Sequence, residues 1–374
     1  MTDPRTTPLH ARHEALGASF TDFGGWLMPV RYSSDLAEHH AVRTTAGLFD
    51  ISHMAEFFVS GEGAGAFLDY ALAGRLSTLA DDQAKYSLLL DVDGGIIDDV
   101  IVYRYHAERY MVVANAGNRD AVAPALLDRS LGFEVEVDDA TERIALIAVQ
   151  GPAAQAILAA TAGVTGIRLP LDELRYYRMT HAEYAVAGAD SVPVDIGRTG
   201  YTGEDGFELY LDASAAGALW DEVLAAGEPH GLVPAGLAAR DTLRLEAGMP
   251  LYGHELSRDV VPAQAGLARV VAADKDDFVG RAGLSAVVAS DAPVLVGLVS
   301  DGRRAGRAGY GVYDGDTRVG EITSGALSPT LGYPIAMAFV SPRASEPGTE
   351  LTIDVRGTRI LATVTALPFY RRAR

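Results

Sequence analysis

Tyr86-Ser87-Leu88-Leu89-Leu90, Ile96-Ile97-Asp98-Asp99-Val100-Ile101-Val102-Tyr103-Arg104-Tyr105 and Tyr110-Met111-Val112-Val113-Ala114 are three largely apolar runs, the second and third rich in β-branched and aromatic residues, with only short turns between them. Such composition suits a pleated, half-buried surface. Asp93-Gly94-Gly95 supplies the first turn, because glycine tolerates the backbone conformations that tight turns demand. Strands joined this closely pair antiparallel, so the segment is expected to form a meander.

A competing pattern lies just upstream. Gly61-Glu62-Gly63-Ala64-Gly65-Ala66 fits the dinucleotide fingerprint G-x-G-x-x-A, follows an apolar strand (56–60) and opens a helix (64–72). A dinucleotide fold also needs alternating βαβ units and a strand-ending acid about 20 residues further on. Here a meander follows, and Asp81-Asp82 fall in a loop. The glycines are read as a strand-to-helix turn, and no NAD is expected on this chain.

Working outward, a helix is expected after Asn118 as N-cap, with Leu126 and Leu127 on its buried side and an end at Gly132. Strands follow at 143–149, 176–186, 192–197 and 207–211, with a helix after Gly151-Pro152 and another over 236–247. Beyond Pro293 the pattern changes to short strands (294–299, 318–323, 335–340, 351–355, 359–366) separated by turn residues, which predicts a small β-barrel or sandwich. The fold class is therefore α+β with mainly antiparallel sheets. The expected domains are a body over 1–275, built as two intertwined α+β subdomains with 54–137 a candidate for the second, and a C-terminal barrel over 276–374.

Composition narrows the function. A formal charge of -19 and a pI near 4.8 argue against nucleic acid or an anionic membrane as partner, since both call for a basic face. No run approaches the roughly 18 apolar residues of a spanning helix, and the N-terminus shows no signal-peptide core; a cytoplasmic location is expected. The absence of cysteine excludes disulfides, thiolate metal sites and a thiol nucleophile. Chemistry must come from carboxylates, imidazoles, hydroxyls or a bound cofactor.

Two acidic positions attract attention. Asp98 and Asp99 sit near the start of an otherwise apolar strand, and successive strand side chains face opposite ways, so they cannot form a dyad at one site. Asp99 shares its face with Ile97, Ile101, Tyr103 and Tyr105, and Asp98 with Ile96, Val100, Val102 and Arg104. Parity does not decide which is buried. A desolvated carboxylate there would have a pKa suited to proton transfer; turn capping or pairing with arginines explains both acids as well. In Arg198-Thr199-Gly200-Tyr201-Thr202-Gly203-Glu204-Asp205-Gly206-Phe207-Glu208-Leu209-Tyr210-Leu211, alternation sends Phe207, Leu209 and Leu211 one way and Glu208 and Tyr210 the other. Glu208 is expected to face solvent or a cleft. It could accept paired hydrogen bonds from an amidine-like edge, or simply be solvated.

These segments occur in order with several others: Thr7-Pro8-Leu9-His10, Asp22-Phe23-Gly24-Gly25-Trp26, His40-Ala41-Val42-Arg43, Phe49-Asp50-Ile51-Ser52-His53-Met54, Ala148-Val149-Gln150-Gly151-Pro152, Ala239-Arg240-Asp241-Thr242-Leu243-Arg244-Leu245-Glu246-Ala247-Gly248, and Ile322-Thr323-Ser324-Gly325 through Ser328-Pro329-Thr330-Leu331-Gly332. Together, over nearly the whole chain, they resemble the T-protein family of the glycine cleavage system. The resemblance implies a folate-binding body with a central cleft and a separate C-terminal barrel. It also implies transfer of the one-carbon unit from the aminomethyl-lipoyl arm of the H-protein to tetrahydrofolate, with release of ammonia.

Carried over by position, Asp99 resembles the family's catalytic aspartate, with Asp98 its structural partner. Glu208 resembles the acid that holds the pterin edge, and Arg240 an arginine of the same site, though a helix-surface ion pair would explain Arg240 too. Arg371 resembles an arginine near the folate tail, and the Arg371-Arg372-Ala373-Arg374 end could instead be frayed. Met54, Tyr86, Asn115 and Tyr201 stand at positions resembling other cleft residues. Ala238 and Leu367 depart from the family's usual glycine and lysine. The resemblance implies tetrahydrofolate as co-substrate, with no metal and no flavin on this chain. Alternatives on the same fold are a folate-dependent demethylase and a non-enzymatic folate-binding module; the second is marked by a cysteine-containing motif, and the corresponding Glu246–Gly253 stretch has none.

Overall fold

The computed structural model describes residues 4–186, 188, 190–286 and 291–372. The chain divides into two compact units, each of which it enters more than once: residues 1–69, 76–86 and 100–240 form the first, and residues 70–75, 87–99 and 241–374 the second.

The first unit is built on a seven-stranded sheet in the spatial order Val164–Thr165, Met179–Tyr184, Val192–Gly197, Gly206–Asp212, Ile144–Gln150, Ala46–Asp50, Leu232–Pro234. Every neighbouring pair is antiparallel except the last. On one face Ile147, Val149, Phe207, Leu209 and Leu211 pack with Ile157 of helix Ala154–Ala160 and with Leu219 and Trp220 of helix Ala216–Gly227. The two innermost strands, Ile144–Gln150 and Gly206–Asp212, are buried almost throughout. Glu208 is consequently 7% exposed rather than solvated: alternation separates polar from apolar residues only where one face of a sheet meets water, and both faces of this strand are covered.

The meander is present: Gln83–Leu90, Ile96–His106 and Arg109–Ala114 are neighbours in a five-stranded sheet completed by Ala55–Ser60 and Glu136–Asp139. Strand Ala55–Ser60 runs antiparallel to both its neighbours, unlike the first strand of a dinucleotide fold. The glycines after it have a steric cause. A Cβ on Gly61, where φ is +134°, would lie 2.3 Å from the Glu134 carbonyl, and one on Gly65 would lie 3.2 Å from the Tyr110 hydroxyl. The helix expected after Asn118 spans Arg119–Ser130 with Asn118 in the N-cap position but no side-chain cap bond. Leu126 is buried; Leu127 is 52% exposed, so only one of the two leucines faces inward. At the N-terminus, strands Ser19–Phe23 and Trp26–Arg31 form a hairpin whose turn residues Gly24 and Gly25 both have positive φ, +60° and +82°, the geometry that favours glycine.

The sheets of the first unit are tied by an ionic clamp. His181 meets Asp195 Oδ1 through Nδ1 at 2.6 Å and Asp82 Oδ1 through Nε2 at 2.9 Å, and the Tyr105 hydroxyl donates to Asp195 Oδ2 at 2.5 Å. The hydrogen bond to Asp195, followed by that to Asp82 and both negative charges, raises the imidazole pKa above 6.5 against the opposing effect of burial. A raised folded-state pKa stabilises the fold fully below the unfolded value near 6.5 and less as pH climbs through the folded one. Urea midpoints are therefore expected to fall across that window in the parent and to fall less in His181→Gln; equal slopes would sink the assignment.

In the second unit, Val294–Ser300, Pro334–Val340, Thr317–Leu327, Gly311–Asp314, Glu350–Val355 and Thr358–Thr365 close into a six-stranded barrel. Closure comes from pairing of Gly297–Ser300 with Ala362–Thr365, which removes exposed edges. Leu298, Val312, Ile322, Val340, Ile353 and Val364 fill its core. A barrel, not a sandwich, is the outcome, and its Gly311–Asp314 strand, only four residues long, has too little pattern to be read from sequence.

Polar anchors join the barrel to the end of helix Leu237–Glu246. Buried Arg244 donates to Glu255 Oε2 at 3.1 Å, Asp241 Oδ1 at 2.7 Å and Ser324 Oγ at 2.8 Å. Glu246 accepts from the Ser328 hydroxyl and from the Thr330 amide and hydroxyl. The segments 239–248 and 322–332, distant in sequence, are thus partners in one hydrogen-bonded network. Among the described residues, no helix is long and apolar enough to cross a membrane.

Candidate active site

Strands Val192–Gly197 and Gly206–Asp212 pair with Gly197 directly opposite Glu208. The connection between them is too long for a tight hairpin turn, so side chains set its shape. Arg198 grips Asp205 with two hydrogen bonds of 3.0 and 2.6 Å and also donates to the Leu171 and Leu174 carbonyls. Gln150 donates to the Thr199 carbonyl at 3.1 Å and accepts from the Thr202 hydroxyl at 2.9 Å. It fills the space a side chain would need at Gly200 or Gly206, where a Cβ would lie 2.0 and 2.4 Å from the Gln150 amide. From helix Asp35–Thr44, Arg43 reaches the Thr202 carbonyl at 2.7 Å and Glu204 Oε1 at 2.9 Å. Three segments far apart in sequence therefore build one loop.

That loop presents Thr199 to Glu208. The Thr199 hydroxyl donates to Glu208 Oε2 at 2.5 Å. The Tyr103 hydroxyl lies 2.7 Å from the Thr199 oxygen, and Tyr210 donates to Tyr103 at 3.2 Å. Both tyrosine hydroxyls also approach Oε2, at 3.4 Å. Gly197 makes this possible, since a Cβ there would lie 2.8 Å from the Tyr103 oxygen. All these bonds fall on Oε2; among the described residues Oε1 of Glu208 accepts none.

Burial raises the Glu208 pKa, while the Thr199 hydrogen bond, the Arg240 charge and the two tyrosine hydroxyls pull it down. The Arg240 guanidinium lies 4.7 Å over the Tyr201 ring. Buried His53 is pushed down to about 4, first by its burial and then by Arg240, so it is neutral at physiological pH. The arrangement is a desolvated carboxylate with one oxygen held by hydroxyls and a cation nearby. Such a group suits an N–H-rich planar ligand.

Of the residues selected from the sequence, Glu208, Arg240 and Tyr201 come together in the first unit. Met54, Tyr86 and Asn115 belong to the same unit and are half-buried. Asp99 and Arg371 belong to the second, Asp99 half-buried and Arg371 exposed, while Asp98 is fully buried. Ala373 and Arg374 lie outside the described residues. Asp99 stands on firm backbone. Asp91 Oδ1 accepts from the Asp93 and Gly95 amides, and the Ile96 amide donates to the Ser257 and Val260 carbonyls at 3.1 Å. The Tyr252 hydroxyl donates to the Ile96 carbonyl at 3.2 Å, and its pKa is raised by burial first and then by Asp98, with Asp99 adding to it.

Sequence reasoning passed over Thr199, Tyr103 and Tyr210 as functional groups, and Arg43 and Gln150 as the side chains that shape the loop. Hydroxyl and amide side chains carry no periodicity, and what they bond to lies on other strands.

Family models match this architecture along most of the chain: a GCVT N-terminal domain over residues 9–275 and a glycine cleavage T-protein C-terminal barrel domain over residues 294–371. The chain belongs to the glycine cleavage T-protein family. Its relatives named aminomethyltransferase include those of Cutibacterium acnes, 55% identical, and Saccharopolyspora erythraea, 52% identical, each alignment covering 100% of both chains. The crystal structure of glycine cleavage system aminomethyltransferase T from Bartonella henselae superposes with a TM-score of 0.88 at 38% identity, covering 98% of each chain. Membership makes the chain a transferase, and the Glu208 loop is built from three of the segments that carry the family resemblance.

Proposed function

We propose that this T-protein transfers the one-carbon unit from the aminomethylated lipoyl arm of an H-protein to tetrahydrofolate, releasing ammonia and leaving methylenetetrahydrofolate and the dihydrolipoyl arm. Tetrahydrofolate supplies the nitrogen nucleophiles of this reaction. The observation that carries the proposal on the protein side is Glu208: a desolvated carboxylate whose Oε1 has no hydrogen-bond partner among the described residues and whose charge is favoured by Arg240. An acceptor left open on an otherwise desolvated carboxylate is available to a donor, and the pterin's ring N–H and exocyclic amine provide two.

In this proposal Glu208 orients the pterin, Arg240 offsets the burial of its charge, and Tyr201, with Arg240 stacked over it, offers a flat wall. Asp99 accepts and returns the proton that moves as the one-carbon unit is transferred. Met54, Tyr86 and Asn115 line the ligand, and Arg371 meets the carboxylates of the folate tail. The body over 1–275 binds folate and the barrel over 276–374 completes the enzyme, acting in the cytoplasm.

Single-turnover formation of methylenetetrahydrofolate and ammonia from aminomethylated H-protein tests the activity; folate binding without product would favour a demethylase or a binding module. Glu208→Ala removes a charged hydrogen-bond acceptor worth about 1.5–3 kcal/mol, so tetrahydrofolate affinity is expected to fall roughly ten- to hundred-fold. Unchanged affinity by titration calorimetry would remove Glu208 from the site.

A further inference from the structure

Resting on the folate reading of Glu208, we propose that Thr199 is the positioning residue of this site: it ends a directional chain of hydroxyls, Tyr210 to Tyr103 to Thr199, that holds Glu208 as a carboxylate and leaves Oε1 to the ligand.

Proton bookkeeping gives the chain its direction. The Thr199 hydroxyl has one proton, and its 2.5 Å contact with Oε2 uses it. Tyr103, 2.7 Å from the same Thr199 oxygen, must then donate to it, and Tyr103 in turn accepts from Tyr210 at 3.2 Å. Each hydroxyl polarises the next, which strengthens the last bond of the series. The direct approaches of the two tyrosines to Oε2, at 3.4 Å, are long by comparison. Thr199 is therefore the shortest link through which two buried phenols act on the carboxylate. It is 1% exposed, and its placement is fixed by Gln150, which holds its carbonyl.

The charges around Glu208 make this link consequential. Arg240 is the cation that favours its ionised form; Tyr103 and Tyr210 stay neutral because burial raises their pKa values. Tyr177 acts on Tyr103, and Glu56, itself buried and without a hydrogen-bond partner on either oxygen, acts on Tyr210. Burial already pushes Glu208 toward protonation. Without Thr199, the carboxyl loses its shortest hydrogen bond and keeps only the two long tyrosine approaches, so its pKa rises further. A protonated Glu208 offers the ligand a weaker acceptor.

The test compares parent, Thr199→Val and Thr199→Ser. Tetrahydrofolate affinity is measured across a pH series, and the protonated-carboxyl band of Glu208 is followed in the free protein by infrared difference spectroscopy, with Glu208→Gln identifying the band. Thr199→Val is expected to bind at least ten-fold more weakly near neutral pH, to regain affinity as pH rises, and to show the band persisting to higher pH. Thr199→Ser should restore both. A uniform loss of affinity with no movement of the band, or no change in either, overturns the proposal. If the parent fails to bind tetrahydrofolate, the folate reading falls, and the infrared comparison still decides whether Thr199 controls the charge of Glu208.

Discussion

Asp99→Asn is expected to leave the fold and tetrahydrofolate affinity intact while lowering turnover roughly 10²- to 10⁴-fold, the usual contribution of a positioned general acid or base. The substitution is nearly isosteric, so packing is preserved, and Asp99 is only half-buried, so the change of charge costs little stability. What is lost is the capacity to take and return a proton. Asp98 provides the control. It lies on the opposite face of the same strand and is fully buried, so Asp98→Asn should lower stability more than turnover per folded molecule. Single-turnover rates, thermal midpoints and folate titrations on both variants separate the two. Undiminished turnover in Asp99→Asn would remove that residue from the chemistry, and a matching loss in Asp98→Asn would show that strand integrity, not proton transfer, had been measured.

Arg43→Ala is expected to cost about 3–5 kcal/mol of stability, the range seen when one partner of a buried ion pair is deleted. Arg43 and Glu204 are both 4% exposed and 2.9 Å apart, so the variant strands a carboxylate away from water. Adding Glu204→Gln removes that stranded charge and should recover part of the loss, giving a coupling energy between the two positions. Because Arg43 also holds the Thr202 carbonyl, the loop that carries Thr199 should loosen, and folate affinity should weaken in molecules that remain folded. Urea unfolding of the two single variants and the double variant measures the effect; a loss under 1 kcal/mol in Arg43→Ala would show that the pair is dispensable.

Local physics was enough for several elements. The strand-turn-strand order from Tyr86 to Ala114 and the strand-rich C-terminal segment are written in alternation, turn residues and composition, which are properties of neighbouring residues; the ordered motifs spoke only through their resemblance to the T-protein family. Local pattern therefore specified the α+β class and offered Asp98, Asp99 and Glu208 as candidate acids, and the family resemblance singled out Asp99. The third dimension decided the remainder. Glu208 proved buried because a sheet covered on both faces suppresses the contrast that alternation relies on, and Leu127 turned outward because helix phase is set by what the helix packs against. Strand Ala46–Asp50 and the parallel edge strand Leu232–Pro234 beside it pair residues nearly two hundred positions apart, beyond any local signal. Gly200 and Gly206 looked like turn glycines, yet the Gln150 side chain determines why they lack one. The hydroxyls of Thr199, Tyr103 and Tyr210 meet at one carboxylate only after two sheets have formed, since each hydrogen bond needs a partner that the sequence places far away.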